Sequence, residues 1–270
     1  MLTLGLALAV MIGLSLGLLG GGGSILTVPV LVYVLGIAAK PAIAMSLPVV
    51  GVTSLVGAAL HWRLGNVRVS TALAFGVLAM AGAFAGARLA LHLSGAVQLA
   101  LLALTMLAAS ISMLRGRRDE PVSDASPRVA LLVPVALGVG LLTGLVGIGG
   151  GFLVVPALVL LARVPMRQAV GTSLLVIAMN SASGFAGYLG TVDIDWRFLG
   201  GFTAASIVGA IAGTALATRV PQAALKRGFA VFLIAIGGFV LYRSRDVFRV
   251  MPRSFSETPA ASSATTTVAP

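Results

Sequence analysis

The sequence predicts an all-α, polytopic membrane protein. It is built from two tandem repeats of about four transmembrane crossings each, about eight in total, with broken or re-entrant glycine-rich helices. Three observations carry that expectation. Apolar residues make up 59% of the 270 positions and charged ones only 9%, against about 25% charge in a soluble domain. Apolar stretches long enough for a bilayer recur along the chain. A glycine run inside such sequence also occurs twice: Gly17-Leu-Leu-Gly-Gly-Gly-Gly-Ser-Ile-Leu-Thr-Val-Pro29 returns 127 residues later as Gly144-Leu-Val-Gly-Ile-Gly-Gly-Gly-Phe-Leu-Val-Val-Pro156.

The apolar stretches run over 2–19, 25–39, 42–62, 69–91 and 96–114, then, after a polar basic hinge, over 129–146, 152–162, 168–189, 198–217 and 223–241. The five-segment order is the same on both sides. The match extends beyond the glycine runs: Ser46 pairs with Ser173, Ser54 with Ser181, Gly57 with Gly184, and Gly82 and Gly86 with Gly209 and Gly213, all at the offset of 127. The chain therefore divides into a first membrane repeat (1–114), a cytoplasmic hinge (115–128), a second repeat (129–243) and a disordered, proline-bearing tail (244–270). The 152–162 segment reaches only about 16 Å as a helix, roughly half of a ~30 Å hydrocarbon core. Each glycine-flanked pair is thus expected to make one crossing plus a broken or re-entrant piece. Arg115, Arg117, Arg118 and Arg128 in the hinge, and Arg243, Arg245, Arg249 and Arg253 near the C-terminus, place both on the cytoplasmic side. That parity implies parallel repeats. Ten full spans with inverted repeats is the alternative.

Composition narrows function. The net charge of +11 comes from basic residues at segment ends, where they orient helices against lipid headgroups and do not form a nucleic-acid surface. No basic leader precedes the first span, so no cleaved signal is expected. With no cysteine in the chain, disulfides, thiolate metal sites and cysteine nucleophiles are excluded. All seven carboxylates (Asp119, Glu120, Asp124, Asp193, Asp195, Asp246, Glu257) fall in loops or the tail. The usual intramembrane proton or sodium relay is therefore missing, which favours an anion or a neutral solute as cargo. No catalytic set can be assembled, and no cofactor or metal is expected.

Glycine is costly inside a helix, so Gly20–Gly23 and Gly147–Gly151 mark helix breaks. A break at membrane depth is tolerated only where it faces protein or a water-filled cavity, and two in register point to a transport site between repeats. The helix after each run begins with free backbone N–H groups and a positive dipole end, a site for an anion needing no charged side chain. The candidate ligands are Gly20, Gly21, Gly22, Gly23 and Ser24, with Gly147, Gly149, Gly150 and Gly151. Close helix packing is the competing use of small residues, and Gly82/Gly86 and Gly209/Gly213 suit it. Ser46 and Thr53 in the third segment, and Thr172, Ser173 and Asn180 in the eighth, form a second polar set; Ser46 and Thr53 share a helix face, as do Ser173 and Asn180. Asn180 in an apolar helix is expensive without a partner or substrate. Arg88 reads as a snorkelling interface residue. His61, beside Trp62 and Arg63, reads as an interface residue with a proton-coupling role as the sharper alternative. Trp62, Trp196, Tyr188 and Tyr242 read as interfacial aromatics.

The paired glycine motifs, each closing on Val-Pro, together with Ala169-Val-Gly-Thr-Ser-Leu174 and the basic hinge, resemble the TauE/SafE sulfite-exporter-like permeases over about residues 1–243. The resemblance implies a multi-pass inner-membrane permease for small sulfur-containing anions: sulfite, sulfoacetate, aromatic sulfonates or related organic acids. Its motif falls on Gly20, Gly22, Gly23 and Pro29, on Gly147, Gly149, Gly150 and Pro156, and on Thr172 and Ser173. The first repeat departs from it, with Met45-Ser46 where the second has Thr172-Ser173. The partners expected are the lipid bilayer and a small anionic solute, with no nucleic acid; the oligomeric state stays open, a homodimer included. Uptake instead of export, a neutral solute, or a membrane scaffold without transport activity are the competing functions.

Overall fold

A computed structural model describes residues 2–115, 129–147, 151–160 and 164–221, with a few isolated positions between 224 and 238. Among these the chain is helical: α1 (Leu2–Leu19), α2 (Gly22–Pro29), α3 (Ala39–Arg63), α4 (Val69–Ala90), α5 (Gly95–Arg115), α6 (Val129–Val146), α7 (Gly151–Leu160), α8 (Met166–Tyr188) and α9 (Trp196–Ala217). Of these, α3, α4, α8 and α9 are long and apolar enough to cross a membrane, and the shorter helices are also apolar. Leu55, Val77 and Val208 stand more than half exposed on the outside of the bundle, as suits a surface facing lipid. Most of the hinge, the tail and nearly all of the tenth segment lie outside the described residues.

The breaks fall where the glycine runs predict. The helix α1 stops at Leu19, Gly20 turns the chain with φ of 72°, and α2 starts at Gly22. Gly147 repeats the turn, also at φ 72°, after α6. A left-handed residue is cheap only for glycine, which has no Cβ to meet the following carbonyl. Pro29 lacks an amide hydrogen, and the chain after it widens into a π-helical turn over Val30–Val34, closed by Leu35 N–H donating to Val30 O at 3.0 Å.

Helix directions follow from close approaches. A Cβ built on Gly13 or Gly17 of α1 would strike the backbone of Ser206 or Ala210 of α9, and one on Gly140 or Gly144 of α6 would strike Ala79 or Ala83 of α4. Both pairs run parallel with backbones in contact, as small-xxx-small spacing allows. The packing roles of Gly82/Gly86 and Gly209/Gly213 are met in these crossings, where they lie on the backbone at Leu137 and Leu141 of α6 and at Val10 and Leu14 of α1. The helices α4 and α8 are also parallel, with Gly76 against Met179 and Gly187 against Ala87. At the centre α3 and α8 run antiparallel: Gly51 faces Ser181, Gly57 faces Leu174 and Gly184 faces Leu47. The middle of α1 shares a buried cluster with the start of α3, through Ala9, Ile12, Ala42 and Met45, and their far ends meet where His61 reaches Gly17. Helices at equivalent places in the two halves (α1 and α6, α3 and α8, α4 and α9) therefore point in opposite directions.

This corrects the expectation of parallel repeats with about four crossings each. That count took each glycine-flanked pair as one net crossing. In the structure α1 and α2 form a hairpin: Gly23 lies on the Ile12 and Leu16 backbone, and Leu35, past the π turn, lies on Gly5. The pair returns to the side it left. The further passes α3, α4 and α5 give the first half an odd number, and odd halves are inverted. Impermeant thiol labelling reads this in a chain with no native cysteine: Leu64→Cys and Thr191→Cys, equivalent at the offset of 127, are expected to label from opposite faces, whereas parallel repeats place them on one face. Gly140→Ala, whose Cβ would sit 2.0 Å from Ala79 O, is expected to lower the thermal midpoint in detergent while Gly138→Ala, with nothing within 4 Å, leaves it unchanged. The cost expected for the former is about 1–3 kcal/mol, as for overpacking elsewhere.

Candidate functional site

Each glycine turn docks on the other half of the chain. Gly20 sits on the first turns of α8, where a Cβ would lie 2.8 Å from Ser173 Oγ and 3.1 Å from Val170 O; Gly147 sits on the matching turns of α3, against Ile43. Ser46 Oγ reaches the Ile43 carbonyl at 2.7 Å and also the Gly147 carbonyl. Its equivalent, Ser173, donates to Val170 O at 2.8 Å. The two predicted serines thus flank the two turns they were paired with, crosswise between halves.

The tips also meet one another. A Cβ on Gly151, at the start of α7, would lie 2.4 Å from Gly21 Cα and 2.4 Å from Ile177 Cδ1. Beside it the N-terminus of α2 carries no side-chain cap; Ser24 turns its hydroxyl back to Gly21 O at 2.7 Å. The first amides of α2 therefore have neither an intrahelical acceptor nor a side-chain one. In lipid such groups need another partner.

Thr53 and Asn180 occupy equivalent positions on α3 and α8, flanking the antiparallel crossing. Both are fully buried, and Thr53 Oγ1, Asn180 Oδ1 and Asn180 Nδ2 have no hydrogen-bond partner. Asn180 stands one turn along α8 from Ile177, the residue touching Gly151. Ser54 and Ser181, one position on, are buried and unpartnered too. A buried polar atom left unpaired costs about 1–3 kcal/mol, and Thr53, Ser54, Asn180 and Ser181 bring four such residues to the central pair of helices.

The other predicted residues lie further off. Thr172 accepts from the Arg68 backbone amide at 3.0 Å and so holds the loop before α4. Pro29 ends α2 and Pro156 lies inside α7. Gly149 and Gly150 lie outside the described residues, as does Tyr242. Arg88 is exposed over the Phe84 ring at 5.4 Å, and Trp62 and Trp196 are each 62% exposed. Tyr188 and His61 depart from their expected interface places: both are buried, at 2% and 3% exposure. They stand at equivalent positions and donate to equivalent carbonyls, His61 Nε2 to Gly17 O and Tyr188 Oη to Gly144 O, each at 3.1 Å. Each ties the last turn of its glycine-ending helix to the next long helix. The offset of 127 held the signal, since it superposes the two residues.

The family model described as Sulfite exporter TauE/SafE matches residues 5–240. Among curated proteins, the chain is 36% identical over 242 residues to a "Probable membrane transporter protein" of Xylella fastidiosa (strain 9a5c), covering 87% of this chain and 92% of that one. It is 29% identical over 239 residues to "Probable membrane transporter protein YdhB" of Bacillus subtilis (strain 168), covering 86% and 96%. "Probable membrane transporter protein MJ0441" of Methanocaldococcus jannaschii is 27% identical over 194 residues, covering 68% and 72%. No solved structure matches the chain.

Replacing the unpartnered groups by apolar ones of similar shape separates a ligand site from a structural one. Thr53→Val and Asn180→Leu are expected to leave the thermal midpoint unchanged or raise it, by up to about 1 kcal/mol of stability, because no protein hydrogen bond is lost. Gly20→Ala is expected to lower it by about 1–2 kcal/mol from the left-handed turn alone.

Proposed function

The chain belongs to the sulfite exporter TauE/SafE family, and we propose that it is a secondary transporter of a small sulfur-containing or organic anion, such as sulfite or a sulfonate, working as an exporter in the bacterial inner membrane. One observation carries the reading: the uncapped, glycine-made start of α2 meets the start of α7 at Gly21, Gly151 and Ile177, and Asn180, one turn on from Ile177, and its equivalent Thr53 have buried polar atoms with no partner.

In this reading the anion lies at the meeting of the two tips. The amides of Gly22, Gly23 and Ser24 donate to it along the positive end of α2, and the start of α7 approaches from the other side. The Thr53 hydroxyl and the Asn180 amide supply further donors. Glycine lets an oxyanion come close to the backbone, and neutral donors bind it without a buried cation, which membrane interiors tolerate poorly. Residues 1–114 and 129–243 act as two repeats that rock about the site, joined by the cytoplasmic hinge 115–128 and followed by the tail 244–270. Coupling uses the proton carried by the substrate itself, since the carboxylates lie in loops or the tail.

Purified protein in proteoliposomes, offered sulfite, sulfate, thiosulfate, sulfoacetate and acetate, tests this directly. Saturable flux of at least one sulfur anion is expected, and Thr53→Val with Asn180→Leu is expected to lower it about tenfold, the equivalent of ~1.4 kcal/mol of lost binding. Flux at background for every anion, from folded protein, refutes transport and leaves a scaffold. Flux indifferent to a pH gradient refutes the proton coupling.

A further inference from the structure

The inverted halves make the two mouths of the path directly comparable, residue for residue. Arg167, at the start of α8, donates through Nη2 to Thr218 O at 3.3 Å, past the end of α9; its equivalent Lys40, at the start of α3, donates through Nζ to Leu91 O at 3.2 Å, past the end of α4. The same strap closes both ends. The residues around it differ. One mouth holds His61, Asn66 and Arg68. At the offset of 127 the other holds Tyr188, Asp193 and Asp195.

At the first mouth, His61, Asn66, Arg167 and Thr218 line a cavity of about 20 Å³, enough for one water molecule. His61 is buried with Nδ1 unpartnered. Val170, which also lines the cavity, is the residue on which Gly20 sits, so the cavity adjoins a glycine turn. Charge follows the same division. Among the described residues, Arg63, Arg68, Arg167 and Arg219 lie at helix ends on this side, with no carboxylate among them. On the opposite side Lys40, Arg88 and Arg197 are offset by Asp193 and Asp195. Asp195 there caps α9, accepting from Arg197 N–H and Phe198 N–H at 3.0 Å, where Arg68 stands before α4.

We propose that the mouth formed by His61, Asn66, Arg68 and Arg167 is the station where an oxyanion is first bound, and that the aspartate-bearing mouth is where it is released. This rests on the anion-transport reading above. The incoming anion takes the Arg167 guanidinium from Thr218 O and finds Asn66 and the free edge of His61 behind it; release of that strap opens the cavity beyond the size of one water. A cleft of one charge sign concentrates its counter-ion and speeds capture, whereas two carboxylates repel the same anion. The arginine mouth shares its face with the start of α6, which follows the basic hinge in sequence, and the positive-inside rule makes that face cytoplasmic. Loading is thus from the cytoplasm. The asymmetry does not pump; it makes half-saturation lower at one face, with the maximal rates compensating so that equilibrium is unchanged.

The test is initial sulfite flux in right-side-out and inside-out membrane vesicles. For the native chain, half-saturation is expected several-fold lower at the arginine face, and this advantage is expected to shrink as salt rises. Asn66→Asp and Arg167→Gln are expected to raise half-saturation at that face by about tenfold. Asp193→Asn, on the opposite loop, is expected to lower it at the other face. Equal half-saturation at both faces, or variants that transport with native values at both, overturns the proposal. A native chain that moves no sulfite refutes instead the choice of anion on which it rests. Should Arg167→Gln fail to accumulate for want of its strap, the two loop variants decide the outcome.

Discussion

A backbone amide or carbonyl without a partner cannot be left in lipid, and this protein breaks its helices inside the bundle. The turn at Gly20 is covered by α8 and the turn at Gly147 by α3, so each half shelters the break of the other. His61 and Tyr188 satisfy carbonyls at the ends of α1 and α6. Ser46 reaches a carbonyl of the turn laid upon it. The start of α2 has no side-chain cap, and the unpartnered Thr53 and Asn180 stand on the central α3 and α8.

Glycine does two separate jobs here. At Gly20 and Gly147 it supplies a backbone angle that other residues reach only with strain. At Gly13, Gly17, Gly140 and Gly144 the angles are helical, and the missing side chain lets two backbones touch. The hairpin of α1 and α2 is thereby held to α9 on one side, and that of α6 and α7 to α4 on the other. The hairpins, which carry the breaks, are thus fixed to the opposite half.

Much of this was legible in the sequence. The helix breaks, the shortness of α2 and α7 and the polar residues of α3 and α8 all follow from residue type and spacing. Direction was not, because hydropathy is blind to which way a helix runs. With the halves inverted, Arg167 and Arg219 fall on the face where α6 begins. The buried pair of His61 and Tyr188 was hidden by chemistry: the two residues look unrelated, and both lie at helix ends, where polar side chains usually mean interface. Thr172 illustrates the opposite error, since a motif hydroxyl next to Ser173 is turned by the helix onto the Arg68 amide. Side-chain type announces a polar contact without naming the partner.

The central claim is that an anion is held by backbone amides at the glycine turns. Its most direct measurement is the amide spectrum of the reconstituted protein, labelled at glycine with nitrogen-15, during a titration with sulfite. A saturable shift confined to the turn glycines, Gly22 and Gly23 among them, and halved at the same concentration as flux, is the predicted result. Flux that saturates while those amide resonances stay fixed would place the anion elsewhere and contradict the account.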